Sequence, residues 1–123
     1  MQDILQLLSK YFDALYDGDT KLFSEIFHPE ARLYSSAEAG FLTLDIPGYL
    51  ERVRNRPSPR SRGDRRQDEI LSITVASPTT AHVRVRELLL PKHFTDELTL
   101  VHDKGRWLIV SKVWHFELVP SGE

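Results

Sequence analysis

Cysteine is absent from the 123-residue sequence, and no hydrophobic run is long enough to cross a membrane. A chain without cysteine forms no disulfide and has no thiol nucleophile, which fits a reducing cytoplasm. A membrane-spanning helix needs about 20 apolar residues, so no membrane partner is expected. The first segment, "MQDILQLLSKYFDAL", lacks a basic leader and does not resemble a signal peptide. We therefore expect a cytoplasmic protein.

Motifs that hold metals or phosphates are also missing. The five histidines are scattered along the chain, and none belongs to an H-E-x-x-H pattern. There is no glycine-rich phosphate loop and no G-x-S-x-G nucleophile motif. We expect neither a metal nor another cofactor.

Positive charge is concentrated in one stretch, residues 52–66, which we call the arginine segment. It holds seven arginines and one acid, a local charge of +6, so the rest of a chain of net charge −2 carries −8. Arginine mixed with proline, serine and glycine predicts an exposed, mobile connection. Contact with RNA or a phosphate is the alternative, but no aromatic residue is interleaved to stack bases. Nucleic acid is therefore not the partner we expect.

Helical spacing marks the first half of the chain. Apolar residues follow a 3–4 spacing from Ile4 to Leu15, and we predict that Asp3 caps this helix and Gly18 ends it. Asp19 is predicted to cap a second helix that stops at His28-Pro29. Two short strands, "ARLYSS" and "GFLTL", precede a third helix, which Asp45 is predicted to cap.

Alternating patterns replace helical ones from about residue 68. Four long segments rich in β-branched and aromatic residues are predicted strands: "EILSITVAS", "AHVRVRELLL", "FTDELTLVHD" and "RWLIVSKVWHFEL". Their short connections require antiparallel hairpins. Three helices before a curved antiparallel sheet predict one α+β domain over residues 1–123, shaped as a cone with an apolar cavity.

Two stretches carry a family resemblance: "YFDALYDGDTKLFSEIFHPEARLYS" and "FTDELTLVHDKGRWLIVSKVWHF". They resemble the nuclear transport factor 2-like superfamily, which includes ketosteroid isomerase and polyketide-cyclase-like proteins. Within it they are most similar to the group called "putative lumazine-binding". This resemblance implies the cone-shaped fold, which hosts enzymes, binding proteins and dimerisation modules alike.

The resemblance also implies roles for particular residues. The oxyanion-binding tyrosine of the isomerase falls on Tyr11, and its second acid falls near Asp96 or Glu97. Its general-base aspartate falls on Ser35, a hydroxyl that cannot take up a proton unaided at pH 7. The resemblance therefore argues against the isomerase mechanism.

His28 is a candidate base because its ordinary pKa lies near neutrality, although a helix-terminal histidine can instead bind last-turn carbonyls. Tyr11 is either a cavity donor or a core aromatic. Asp96 shares a strand face with two leucines, so it contacts a ligand, pairs with a cation such as Lys112, or lies at a wet strand end.

Lys112 and Trp114 alternate with Leu108, Val110 and Phe116, and this face is either the cavity lining or the outer side of the sheet. Which face points inward stays open, because a bulge would exchange the two. Aliphatic residues on both faces of the long strands predict a homodimer.

Three functional hypotheses follow. The first is a small-molecule-binding protein, whose predicted ligand-binding residues are Tyr11, His28, Tyr34, Phe94, Asp96, Lys112 and Trp114. The second is an isomerase, dehydratase or cyclase-type enzyme with His28 or Asp96 as base and Tyr11 as oxyanion donor. The third is a dimerising interaction module, which predicts a filled cone.

Overall fold

The computed structural model describes residues 1–120; residues 121–123 of the predicted domain lie outside the described part. In chain order the elements are α1 (Gln2–Asp17), α2 (Thr20–Ile26), β1 (Phe27–Glu38), β2 (Gly40–Leu44), α3 (Ile46–Arg54), α4 (Pro59–Arg62), β3 (Asp68–Ser77), β4 (Thr80–Leu89), β5 (Lys92–Asp103) and β6 (Arg106–Leu118). The predicted α+β order is confirmed, with the short helix α4 added inside the arginine segment. Within residues 1–120, no helix combines the length and apolar character needed to cross a membrane.

Two aspartates set the starts of α2 and α3, as predicted. The Asp19 carboxylate accepts a hydrogen bond from the backbone N–H of Leu22 at 3.0 Å. The Asp45 carboxylate accepts one from the backbone N–H of Gly48 at 2.9 Å. Each bond satisfies an amide that has no partner within its helix.

The two ends of α1 differ in how well they were predicted. Gly18 ends the helix in the left-handed conformation at φ 65°, which glycine adopts without steric cost. A β-carbon at this position would also lie 3.1 Å from the Cβ of Ser58. The predicted cap at Asp3 is wrong, because α1 begins at Gln2 and places Asp3 inside its first turn.

The six strands form one curved, unclosed sheet in the order β2-β1-β6-β5-β4-β3. The four long strands pair antiparallel, as their short connections predicted. Strand β1 pairs parallel with β6, so the sheet is mixed. These two strands are far apart in sequence, and no hairpin constrains their relative direction.

A bulge in β6 decides which residues face inward. The register between β5 and β6 shifts at Val110, which has no partner on β5. After this shift, Lys112 and Trp114 share a face with Ile109 and not with Leu108, contrary to simple alternation. The bulge thus turns the lysine and the tryptophan toward the helices.

The core lies between the helices and the concave face of the sheet. Five aromatic rings from α1, α2, β1 and α3 form its centre, with centroids 5.3–6.4 Å apart: Tyr11, Phe12, Phe23, Phe27 and Tyr49. These contacts hold α3 at a fixed position over β1 and β6. The space left beyond this cluster is the candidate site.

Candidate functional site

A cavity of about 520 Å³ lies between α1, α3 and α4 on one side and the sheet on the other. Its apolar lining comprises Leu15, Leu89, Leu90, Pro91, Phe94 and Trp114. Its charged lining comprises Glu38, Arg52, Arg56, Arg62, Glu87, Lys92 and Lys112. The cone is therefore not filled, in disagreement with what the interaction-module hypothesis predicts.

Two buried charged residues, Glu87 on β4 and Lys112 on β6, form the floor of the cavity. They are only 2% and 6% exposed. The Lys112 Nζ lies 3.8 Å from the Asp96 Oδ2 and donates a hydrogen bond to the Tyr49 hydroxyl at 3.3 Å. The floor thus presents one carboxyl and one ammonium, and the ammonium has its counter-charge in Asp96.

Aromatic rings surround the Lys112 ammonium. The Nζ lies 5.2 Å from the ring centroid of Tyr11, 5.1 Å from that of Tyr49 and 5.8 Å from that of Trp114. The negative faces of such rings attract a cation. Burial lowers the pKa of Lys112, but the charges of Asp96 and other acidic groups raise it by more, so the net shift is upward. Lys112 is therefore an ammonium near neutral pH.

Asp96 and Tyr11, two of the predicted catalytic residues, lie beneath the floor. Both are fully buried and neither lines the cavity. The Tyr11 hydroxyl donates a 2.5 Å hydrogen bond to the Asp96 Oδ2. Burial, followed by the charges of Asp96 and Glu87, raises the pKa of Tyr11 well above its usual value. Tyr11 thus stays a hydroxyl, committed to Asp96 and not directed at a ligand.

Glu87 is the cavity residue that the sequence interpretation missed. Its carboxyl group, when protonated, forms a hydrogen bond with the carboxylate of Asp96. Burial, and then the charge of Asp96, raises the pKa of Glu87 well above its usual value. Its position was readable from the alternation that places Ala81, Val83 and Val85 on the buried face, because Glu87 follows two residues later.

The wall formed by α3 was missed for a similar reason. Tyr49 and Val53 are its buried residues, and Arg52 and Arg56 line the cavity beside them. Spacings of three and four residues put Arg52 and Val53 on the same helical face as Tyr49, and Arg56 follows just after the helix ends at Arg54. Assigning both arginines to a solvated connection hid this stripe.

His28 lies outside the cavity, and its predicted location at a helix end is wrong. Helix α2 ends at Ile26, and His28 is the second residue of β1. Its Nε2 is 3.3 Å from the Asp103 Oδ2, and its Nδ1 accepts a hydrogen bond from the backbone N–H of Glu30 at 3.0 Å. Neither His28 nor Asp96 lines the cavity, so neither of the two predicted bases is exposed to a molecule bound there.

Tyr34 is also outside the cavity lining. It lies next to Val113 on the parallel ladder, on the opposite face from Lys112, and its ring stacks on Phe41 at 6.1 Å. By contrast, Phe94 lines the cavity with Lys112 and Trp114. The structure thus brings three of the predicted ligand-binding residues together. Tyr34 lies on the other face of the sheet, because successive side chains of a strand point to opposite faces.

Ser35, at the position of the isomerase base, has a structural role. It is buried, and its Oγ donates a hydrogen bond to the backbone carbonyl of Trp114 at 2.9 Å. The same Oγ accepts one from the backbone N–H of Ala37 at 3.0 Å. The hydroxyl therefore joins β1 to β6 and does not face the cavity.

The arginine segment is held against α1, contrary to the prediction of a mobile connection. Arg60 pairs with Asp17 at 2.6 Å, and Arg66 pairs with Asp13 at 2.8 Å. Both guanidinium groups also lie over the ring of Tyr16, at 5.3 and 5.5 Å. Within residues 1–120, no three side chains of the metal-ligating types considered (His, Cys, Asp or Glu) gather into a possible metal site.

Solved structures with the same arrangement of elements belong to nuclear transport factor 2-like proteins. One of unknown function from Shewanella baltica matches with a TM-score of 0.82 and 25% identity, covering 98% of this chain and 94% of that chain. A ketosteroid isomerase-like protein from Erwinia carotovora matches with a TM-score of 0.73 over 94% of both chains. At 12% identity, this second likeness concerns the fold alone.

Sequence comparisons identify a relative and a family in addition to the fold. A protein named aldolase FrzH, from Cladobotryum sp, is 29% identical over 107 residues, which is 85% of this chain and 82% of the relative. A family model described as "Putative lumazine-binding" matches residues 1–115. The chain therefore belongs to this "putative lumazine-binding" family, within the nuclear transport factor 2-like superfamily.

Proposed function

We propose that this protein binds a small organic molecule in the cavity above Glu87 and Lys112. The carrying observation is the cavity of about 520 Å³, which combines apolar side chains with the buried carboxyl of Glu87 and the buried ammonium of Lys112. A ligand hydroxyl or carbonyl can bond to this carboxyl or to the ammonium, and the apolar lining holds the rest of the ligand.

Thermal shift with aromatic and polyketide-like compounds tests this proposal. Leu90→Trp places an indole in the cavity lining, and Leu118→Trp, at a 69% exposed position outside it, is the matched control. Compounds that bind in the cavity raise the melting temperature of the wild type and of Leu118→Trp but not of Leu90→Trp. Equal stabilisation of all three proteins would contradict binding at this site.

A second candidate function is acid–base catalysis on a carbonyl compound through an enolate. Two observations favour it: a carboxyl and an ammonium face one cavity, and a relative at 29% identity is named an aldolase. His28, Asp96 and Tyr11 were the predicted catalytic groups, but the groups that line the cavity are Glu87 and Lys112.

In this mechanism Glu87, in the fraction of molecules in which it is ionised, takes the proton from the carbon beside the carbonyl, and its raised pKa makes that fraction grow with pH. The electron pair of the broken C–H bond moves to the carbonyl oxygen, and the Lys112 ammonium donates a hydrogen bond to the resulting enolate oxygen. Glu87 then returns the proton to another carbon in an isomerisation. In an aldol addition the enolate carbon first bonds to the carbonyl carbon of a second molecule, whose C=O electron pair moves to its oxygen, and Glu87 protonates the resulting alkoxide. Asp96 and Tyr11 act as positioning residues that hold Lys112.

Lys112 acts here as a cation and not as an amine nucleophile. Schiff-base lysines need a lowered pKa, whereas the acids beside Lys112 raise its pKa. Borohydride in the presence of a small aldehyde is therefore expected to give no adduct at this residue. An adduct detected there by mass spectrometry would replace the enolate mechanism with a covalent one.

Exchange of α-protons into D₂O, followed by NMR on simple ketones and aldehydes, tests the catalytic candidate. Glu87→Gln is expected to slow exchange by about 10²- to 10⁴-fold, since it removes the proton acceptor. Lys112→Met is expected to cost about 10²- to 10³-fold. Tyr34→Phe, outside the cavity, is expected to exchange as the wild type does. Undiminished exchange in Glu87→Gln would remove this function.

We further propose that the chain forms a homodimer and works in the cytoplasm. Ile70 and Val75 support the dimer because they are 39% and 48% exposed on one face of the edge strand β3. Grouped exposed apolar residues are typical of contact surfaces. The absence of cysteine supports the location.

A further inference from the structure

Three arginines of the arginine segment form ion pairs with acids that lie outside the cavity or at its edge. Arg60 pairs with Asp17, and Arg66 with Asp13 and Asp68. Arg62 pairs with Asp64 at 2.8 Å and donates to the backbone carbonyl of Leu90 at 3.1 Å. Each of these three guanidinium groups therefore already has an acidic partner.

Arg52 and Arg56 differ from these. Both are half-buried, both line the cavity, and neither makes a hydrogen bond or a salt bridge with another described residue. Arg52 lies in the last turn of α3, and Arg56 follows just after the end of this helix at Arg54. Two guanidinium groups with free donors thus line the same cavity.

Neighbouring acids do not neutralise this pair. Glu38 is the acid whose charge acts on Arg52, but its carboxylate is already paired with Lys92 at 2.8 Å. That bond, followed by the charge of Lys92 and more weakly that of Arg52, lowers the pKa of Glu38. Lys112 on the floor already has Asp96 as its partner. The cavity therefore carries an excess of positive charge at α3.

We propose that the ligand of this cavity is an organic anion whose charged group is held by Arg52 and Arg56. Guanidinium groups bind carboxylates and phosphates through paired N–H donors, which fixes the orientation of the ligand. The apolar body of the ligand then packs against Phe94 and Trp114, and its polar far end reaches Glu87. This inference rests on the proposed binding function and adds the chemical class of the ligand.

Matched probes separate charge from shape. We would titrate 2-naphthoate, 2-naphthyl phosphate and the uncharged 2-naphthalenemethanol by calorimetry. At least one of the two anions is expected to bind about 10- to 100-fold more tightly than the alcohol, the range that a charge-assisted hydrogen bond supplies. Which anion binds more tightly distinguishes a carboxylate from a phosphate ligand.

Two double variants locate the charge. Arg52→Gln/Arg56→Gln is expected to abolish the preference for anions while leaving the affinity for the alcohol unchanged, which also reports an intact fold. Arg54→Gln/Arg60→Gln removes the same number of charges from exposed arginines outside the cavity lining. This control is expected to keep the preference.

The outcomes separate the two proposals. Equal affinities for anions and alcohol in the wild type would overturn the anion assignment and leave the binding function standing. Equal losses of the preference for anions in both double variants would also overturn the anion assignment. The preference would then come from the overall electrostatic field of the protein and not from Arg52 and Arg56. Binding of none of the probes would overturn the anion assignment together with the binding function.

Discussion

Asp96 supplies the counter-charge of the buried Lys112 ammonium. It is fully buried, accepts the hydrogen bond of Tyr11 and is the acid beside Lys112. Asp96→Asn is expected to lower the free energy of unfolding by about 3–5 kcal/mol, because a buried ammonium loses its counter-charge. Urea denaturation measures this loss.

Glu97, the next residue on β5, provides the control on the opposite face. Its carboxylate pairs with Arg84 at 2.7 Å and His82 at 2.9 Å, but all three side chains are partly exposed. Glu97→Gln is expected to cost no more than about 1 kcal/mol. Equal losses of unfolding free energy for Asp96→Asn and Glu97→Gln would mean that Asp96 does not neutralise a buried charge.

Glu87 predicts a pH-dependent effect on stability. Its raised pKa means that, between the usual value of 4.5 and the raised value, the folded protein holds one more proton than the unfolded chain. The contribution of Glu87 to stability is complete below pH 4.5 and declines as pH rises, by about 1.4 kcal/mol per unit, until the raised pKa is passed.

Glu87→Gln removes this dependence because its amide does not titrate. The stability of the variant relative to the wild type is therefore expected to increase with pH above 4.5 and then to level off. Urea denaturation at a series of pH values measures the difference. Parallel curves for the two proteins would contradict a protonated Glu87.

At the scale of elements, α3 is the part that connects the fold to the site. It carries Tyr49, which bonds to Lys112, and Arg52 on the cavity wall. Its start depends on the Asp45 cap. Asp45→Ala is expected to cost about 0.5–2 kcal/mol in unfolding free energy, whereas Asp45→Asn, which keeps an acceptor, is expected to be near neutral. If Ala and Asn behaved alike, the cap would not stabilise α3.

Element order and strand pairing were largely predictable because they depend on local interactions. Asp19, Gly18 and Asp45 act through bonds to residues a few positions away, and short connections leave only antiparallel pairing for the long strands. The parallel pairing of β1 with β6 was not predictable in this way. Some 75 residues or more separate their partners, so tertiary packing selects the direction.

At the scale of the whole molecule, the predicted homodimer is the property to test. The wild type is expected to elute at about twice its mass of 14.2 kDa. Ile70→Glu/Val75→Glu is expected to shift it toward the monomer, because charges on an exposed edge strand oppose pairing with another chain. Gel filtration with light scattering measures both. A monomeric wild type at micromolar concentration would remove the dimer.

The candidate site was only partly predictable at this scale. Phe94, Lys112 and Trp114 were named from the sequence and lie together on the cavity lining, while His28 and Tyr34 do not join them. Asp96 was named as a ligand contact or as a partner of Lys112, and the structure assigns it the second position. Side-chain type suggested which residues were unusual, but depth beneath the cavity surface depends on packing.

The amino-acid sequence by itself determined where helices begin and end, which segments are strands, and that the long strands form hairpins, because these features depend on neighbouring residues. Only the tertiary structure decided which groups share the cavity. Tyr11 and Asp96 are 85 residues apart and meet through the packing of α1 on the sheet. The bulge at Val110 turns Lys112 inward, and alternation carries Glu87 to the same floor. Such contacts depend on strand register and on bulges. A one-residue change in either moves every following side chain of the strand to the opposite face of the sheet.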